Sequence, residues 1–341
     1  REAAQGYSAL FRWIEFRGED LMPLIALHSA DEWIARMGDA RKPTAVTIGN
    51  FDGVHLGHQR ILRDVSERAQ HADLMAGVLT FYPHPARVLR PAQAPSLLIT
   101  LAQRLEEIAK IGMGAALVQR FDQELAKVSA EDFVRRFLVD TMRAKAVLVG
   151  DNFRFGHKQA GDVKMLTDLG RRWGFEVEVV PPVLVDGVVV SSTAIRQAAR
   201  EGRMEDARKL LGRPFALEGE IRTGTGQGRK LIVPTLNLAT EQETLPMNGV
   251  YATETMVEGK LFRSATNVGV RPTFDGTRLA IESHLFDFHE NLTSGRMEIR
   301  FWTRLRDEQK FAGPDALREQ VLRDIEKAKE FLSKQKPSVE A

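Results

Sequence analysis

The chain has 341 residues, too many for one hydrophobic core to serve comfortably, so two domains are expected. Its 48 basic and 46 acidic residues leave a net charge of +2, too balanced for a protein that holds nucleic acid through bulk charge. There is no cysteine, which excludes disulfides, thiolate nucleophiles and cysteine metal sites, and no apolar run approaches the ~20 residues of a membrane span.

The opening REAAQGYSALFRWIEFRGEDL lacks the apolar centre of a signal peptide. Residues 1–21 are expected to form a disordered extension before Met22, and a cytoplasmic enzyme is expected. From Lys42 to about Val180 apolar strands alternate with helical spacing. TAVTIGN reads as a strand, HLGHQRILRDVSERAQ as a helix, LMAGVLTF as a strand, then a proline-rich loop. TLAQRLEEIAKIG is a helix, AALVQRF a strand, and SAEDFVRRFLVDTM one helix opened by Ser129. AKAVLVG, VKMLTDLGRRWG and FEVEVVPPV follow as strand, helix and strand. Such alternation implies a Rossmann-like α/β domain with a parallel sheet and ligands beyond the strand C-termini. SSTAIRQAAREGRMEDARKLLGRPF reads as two short helices. After Pro214 strand-like runs at hairpin intervals suggest a small antiparallel β-barrel, closed by the amphipathic helix GPDALREQVLRDIEKAKEFL. The expected divisions are 22–198, a helical linker 199–213, 214–335 and a disordered tail 336–341.

Five motifs carry candidate chemistry. In GNFDGVHLGH, Asp52-Gly53 makes a tight turn and the following helix N-terminus is a ready anion site. His55 and His58, one turn apart, could face that anion, and a phosphate there would favour their charged, donating form. Solvent-exposed histidines or a metal pair are the alternatives. In VGDNFRFGHKQAGD, Asn152, Arg154, His157 and Lys158 lie just past a strand, and Phe153 and Phe155 could offer aromatic surface to a planar ligand; a solvated loop is the alternative. In VVSSTAIRQ, Ser191, Ser192 and Thr193 open a helix and Arg196 is close enough to join its N-terminus in holding phosphate, which is compatible with simple capping. Gly224, Gly226 and Gly228 allow close backbone approach, though no Walker lysine follows; Thr235 and Asn237 are neutral oxygen ligands suited to Mg²⁺. In AIESHLFDF, Glu282 and His284 share one strand face, either inward or solvated.

The order of these motifs resembles the bacterial bifunctional riboflavin kinase/FMN adenylyltransferase (FAD synthetase) family. The likeness runs from about Pro43 to Leu332 and includes GNFDGVHLGH, FYPHPARVLRP, GDNFRFGHKQAGD, SSTAIR, LLGRPF, PTLN, LPMNGVYA and NVGVRPTF with IESHLFDF. The resemblance implies an N-terminal domain that adenylylates FMN and a barrel that phosphorylates riboflavin, with ATP as co-substrate, Mg²⁺ as cofactor and FAD as final product. It implies ATP-phosphate contacts at His55 and His58 and a catalytic-loop role for Asn152. Gly49, Phe51, Gly53, Ser192, Thr193 and Arg196 would bind nucleotide, as would the glycine loop and Arg271. Thr235 and Asn237 would hold Mg²⁺, and Glu282 would be the kinase's catalytic glutamate.

Two departures bear on activity. Where the family often has a basic residue before the SST serines this chain has Val189, and where it has Gly-Phe-Pro-Thr-Ala-Asn this chain has Ile232, Val233, Pro234, Thr235, Leu236 and Asn237. Leu236 is expected to add bulk beside the Mg²⁺ pair and Ile232 to limit backbone freedom. Two rivals remain: a monofunctional FMN adenylyltransferase with an inactive flavin-binding barrel, and a catalytically silent flavin-binding protein.

Overall fold

The computed structural model describes residues 24–38, 42–222, 233–273, 276–290 and 292–335. These described residues form two compact units, divided so that those up to 95 and those of 101–183 make one, and those of 96–100 and from 184 onward make the other.

The first unit is built on β1 (Ile25–Leu27), α1 (Ala30–Met37), β2 (Thr44–Ile48), α2 (Leu56–His71), β3 (Met75–Tyr82), α3 (Pro85–Leu89), α4 (Leu101–Lys110) and β4 (Ala115–Arg120). It continues through α5 (Ala130–Phe133), β5 (Ala144–Gly150), α6 (Val163–Trp173) and β6 (Glu176–Val180). Its six strands are all parallel in the order β1-β4-β3-β2-β5-β6. Every residue of β2 is buried, as befits a strand covered on both faces. The short β1 and α1 lie before the first segment that sequence patterning singles out. Three residues are too few to show a period. Helix α5 is not the single α-helix expected over 129–142. It passes into a π-helix over Val134–Thr141, where Met142 N–H reaches the Phe137 carbonyl and the Thr141 hydroxyl the Arg136 carbonyl. The wider turn keeps Val134, Phe137, Leu138 and Thr141 buried together.

The second unit holds the hairpin β7 (Leu184–Val185) and β8 (Val188–Val189), helices α7 (Ser192–Arg200) and α8 (Met204–Leu211), and strands β9 (Phe215–Arg222), β10 (Leu236–Thr240) and β11 (Gly249–Val257). Strands β12 (Lys260–Thr273), β13 (Gly276–Leu285) and β14 (Arg296–Arg306) and helix α9 (Pro314–Ser333) complete it. Six antiparallel strands close a barrel in the order β10-β13-β12-β11-β14-β9. The α7 segment falls with the barrel rather than with the parallel sheet, so the break comes earlier than the residue 198 expected from sequence. Its attachments explain this: the Ala199 carbonyl accepts from Met247 N–H, and the Arg196 Nε–H donates to the Ser96 carbonyl at 2.7 Å.

Alternation along the barrel strands separates two faces. Outside, α9 covers Ala252, Ala265, Phe286 and Trp302 with Ile325, Ala328 and Leu332. Inside, Thr253, Thr255, Ser264, Thr266 and Ser283 are fully buried. Their hydroxyls form a closed ring, Thr253–Ser264–Thr255–Ser283–Thr266 and back, with every link between 2.7 and 3.0 Å. Thr266 donates to Ser283, so the other links follow in one rotational sense and each hydroxyl donates once and accepts once. Five polar groups are thereby satisfied in an apolar core without a charge.

Candidate active sites

The parallel sheet reverses its winding between β2 and β5, which are neighbours although β3 and β4 separate them in sequence. The crevice beyond the strand C-termini at such a reversal is the usual ligand position of an open α/β sheet. GNFDGVHLGH follows β2 and GDNFRFGHKQAGD follows β5, so His55, His58 and Asn152 emerge at one switch point.

The turn after β2 is bent hard. Gly53 has φ +86°, Phe51 +49° and Val54 +38°, the last a conformation that β-branched residues rarely take. Phe51 and Val54 are buried, and the Gln59 side chain donates to the Val54 carbonyl at 3.0 Å, which together hold the strained backbone. Gly49 has a packing reason for lacking a side chain: a Cβ there would meet the Phe51 ring at 3.1 Å.

His55 is the N-cap of the 16-residue helix α2, and its Nδ1 accepts from His58 N–H at 3.3 Å. A neutral ring so bonded carries its proton on Nε2. The two imidazoles stack at 3.7 Å with planes 14° apart, and Phe51 meets His58 edge-on at 5.1 Å. No acidic residue occupies the first turn of α2, so its N-terminal dipole is left for another anion. Burial pushes the His58 imidazole well below its ordinary range, and the neighbouring His55 and Arg104 push the same way. This favours the neutral form of His58, opposite to the charged form that a neighbouring phosphate would favour.

Asn152 is exposed on its loop. Phe155 is not a ligand platform. It is 6% exposed and belongs to the core with Phe133 and Phe137, stacked at 5.4 Å on the partly exposed Phe153. Arg154 lies 3.5 Å from Asp162, the residue that caps α6.

In the second unit Ser191 caps α7 by accepting from Ala194 N–H at 3.2 Å, leaving Ser192 and Thr193 in the first turn. Arg196 is buried, with its Nε already given to the Ser96 carbonyl. Gly224, Gly226, Gly228 and Ile232 lie outside the described residues. Arg271 stands on β12 opposite Arg278.

On the barrel, Asn237 lies opposite Glu282, and Glu282 opposite Asn267, on one rung of β10, β13 and β12. Glu282 and His284 alternate with buried Ile281, Ser283 and Leu285, so they face away from the hydroxyl ring. Leu236 corrects the expectation of bulk beside the metal pair: it is buried and pairs with Ser283, on the inner face. His284 Nδ1 lies 2.8 Å from the Pro234 carbonyl and anchors the PTLN segment, a role the sequence pattern did not assign. Among the described residues there is no cluster of three or more His, Asp or Glu fit to hold a metal, and no helix long and apolar enough to cross a membrane.

Residues 38–194 match the FAD synthetase family and residues 211–332 the riboflavin kinase family. The chain is similar to the bifunctional riboflavin kinase/FMN adenylyltransferase of Haemophilus influenzae, 36% identical over 290 residues that cover 85% of this chain and 94% of that one. The Pseudomonas fluorescens enzyme of the same description is 38% identical over 284 residues, covering 83% and 91%. A Streptococcus pneumoniae crystal structure described as a macrolide-efflux protein superposes with a TM-score of 0.79 at 28% identity, covering 90% of this chain and 98% of that one. With both family regions present in order and relatives matched along nearly their whole length, this chain belongs to the bifunctional riboflavin kinase/FMN adenylyltransferase family.

Proposed function

We propose that the two reactions of this enzyme use separate surfaces: FMN adenylylation at the C-terminal edge of the parallel sheet, and riboflavin phosphorylation on the outer face of the barrel at Asn237 and Glu282. The observation that carries the first assignment is the emergence of His55, His58 and Asn152 at the β2/β5 switch point.

In adenylyl transfer an FMN phosphate oxygen attacks the α-phosphorus of ATP, the new P–O bond forms and pyrophosphate leaves. A phosphate monoester has a second pKa near ~6, so this nucleophile is already largely ionised at neutral pH and no strong base is needed. The work left to the protein is to hold several negative charges together. The N-terminal N–H groups of α2 suit that task, with the stacked imidazoles of His55 and His58 beside them. Ser192, Thr193 and Arg196 are proposed as further phosphate contacts by family resemblance.

In the kinase step the ribityl primary alcohol attacks the γ-phosphorus of ATP and ADP leaves. The alcohol carries a proton, and Glu282 would accept it. Asn237 lies opposite Glu282 across the strand pair, and the neutral oxygens of Thr235 and Asn237 would hold a Mg²⁺ ion there. Mg²⁺ would offset phosphate charge at that site. Gly224, Gly226 and Gly228 would then cradle ATP.

Purified protein given Mg-ATP with either riboflavin or FMN, and its flavins resolved by chromatography, tests this reading. FMN from riboflavin and FAD from FMN are expected. FAD without FMN formation would select an inactive barrel, and neither product would overturn both assignments.

A further inference from the structure

Arg104 on α4 is a fully buried arginine that the motifs do not include. One nitrogen of its guanidinium is used: NH1 donates to the Thr80 hydroxyl at 3.4 Å and to the Phe81 carbonyl at 3.3 Å, both long bonds. Its Nε and NH2 have no hydrogen-bond partner. The other buried polar atoms without partners include Thr47 Oγ1, Asn50 Oδ1 and His58 Nδ1, all on β2 or the turn and helix that follow it. Five of the eight such atoms among the described residues thus lie on β2, the turn and helix that follow it, or Arg104 itself. As packing, a guanidinium in this place is a poor choice. An apolar side chain of similar volume would fill the space and leave no donor stranded.

What Arg104 does supply is fixed charge. Asp52 from the β2–α2 turn, Tyr82 from β3 and His58 from α2 all feel it electrostatically, and His55 is the remaining titratable neighbour of His58. Because no solvent touches the guanidinium, its field is poorly screened. No nucleotide atom need touch it for the field to act.

We infer that Arg104 is a positioning residue for adenylyl transfer: a sealed cation behind the turn that supplies positive potential for the triphosphate, while His55 and His58 supply directional hydrogen bonds. This rests on the assignment of adenylyl transfer to that turn. The arrangement separates two tasks, with attraction assigned to a group that stays protonated at any working pH and directional contact assigned to the imidazoles.

The test compares Arg104→Met, which keeps volume and loses charge, with Arg104→Lys, which keeps charge. FAD formation from FMN is followed over ATP concentration and over pH, and thermal unfolding confirms the fold. For Arg104→Met, kcat/KM for ATP is expected to fall about tenfold or more, mainly through KM. Its acid limb should move to higher pH, because removing a cation lets His58 take up a proton more readily. Arg104→Lys should stay within about threefold of the parent with its acid limb unmoved. Parent-like kinetics and pH profile in Arg104→Met overturn the inference. So does an equal loss in both variants with no movement of the acid limb, which would assign a purely structural role. Should Arg104→Met fail to fold, Arg104→Lys decides alone: a tenfold loss overturns the inference. Absence of FAD formation in the parent enzyme would instead remove the underlying site assignment.

Discussion

Asn237 and Glu282 face one another across the antiparallel β10–β13 pair, one rung removed from the contact between Leu236 and Ser283 that points into the barrel. A carboxylate and a neutral amide oxygen donor are therefore fixed side by side by strand register, which is more rigid than a loop could make them. Glu282→Gln keeps the shape and removes the proton acceptor. Riboflavin phosphorylation is expected to fall about 10²–10⁴-fold, the usual scale for loss of a general base. Asn237→Ala should raise the Mg²⁺ concentration needed for half-maximal FMN formation. FAD formation from added FMN should be unchanged in both. An equal loss of both reactions in a folded variant would refute the two-surface assignment.

His58 links the adenylylation site to the pH dependence of stability. Its folded-state pKa lies below the ordinary imidazole value of 6.5, chiefly because it is buried. The unfolded chain therefore binds this proton more readily than the native one. The stability associated with the residue is complete above about pH 6.5 and is lost as pH falls toward the depressed folded value. His58→Gln removes that term, so its melting temperature should decline less than the parent's between pH 7.5 and 5.5. His28 and His284, also lowered by burial, are common to both proteins and cancel in the comparison. Parallel Tm–pH curves would show that His58 is not held neutral in this way. The same variant should lose most FAD formation and keep FMN formation.

The sequence shows the fold and the site unequally, for physical reasons. Strand β2 is a fully buried, mostly β-branched pentapeptide before a glycine turn, and β13 alternates Ile281, Ser283 and Leu285 with Glu282 and His284; such patterns depend only on which face is covered. The placement of His55 and Asn152 together follows from strand order, which local spacing does not encode. Leu236 points inward although its sequence neighbours Thr235 and Asn237 lie on the opposite face, a distinction that local composition does not carry. Arg104 escaped because a lone arginine inside TLAQRLEEIAKIG has the look of a solvated helix position. Only the burial of that helix face reveals it.

The hydroxyl ring makes a prediction about the barrel alone. Each of its members satisfies two others, so one substitution strands two neighbours at once. Thr253→Val keeps shape but leaves Ser264 and Thr266 each without one link. A cost of about 1–3 kcal/mol is expected from the unmet buried groups. Chemical denaturation of the riboflavin kinase transition measures it. Ser283→Ala should cost a similar amount, and the double variant less than the sum, because both changes break the same cycle. Strict additivity would mean that the five hydroxyls act as independent bonds.

Gly156 sets the position of the Asn152 loop. It has φ +73°, and a Cβ added there would lie 2.5 Å from the Cα and 2.6 Å from the N of Ala130, which are backbone atoms unable to yield. The loop is tied to the same region by the His157 N–H bond to the Val128 carbonyl at 2.8 Å and by His157 Nδ1 at 2.9 Å from the Ala126 carbonyl. A Phe155–Gly161 bridge closes it on the other side. Gly156→Ala therefore combines an unfavourable backbone conformation with a backbone clash, and about 2–3 kcal/mol of destabilisation is expected in the first unit. Since the clash must be relieved by moving the loop away from α5, Asn152 should shift with it. FAD formation should fall more than tenfold even at temperatures where the variant is folded, through misplacement of a group whose position matters on the ångström scale. FMN formation should not change. Thermal unfolding and the two flavin assays check these outcomes together. A variant that is destabilised yet adenylylates FMN at the parent rate would show that the anchored loop supports the fold and that Asn152 takes no part in the transfer.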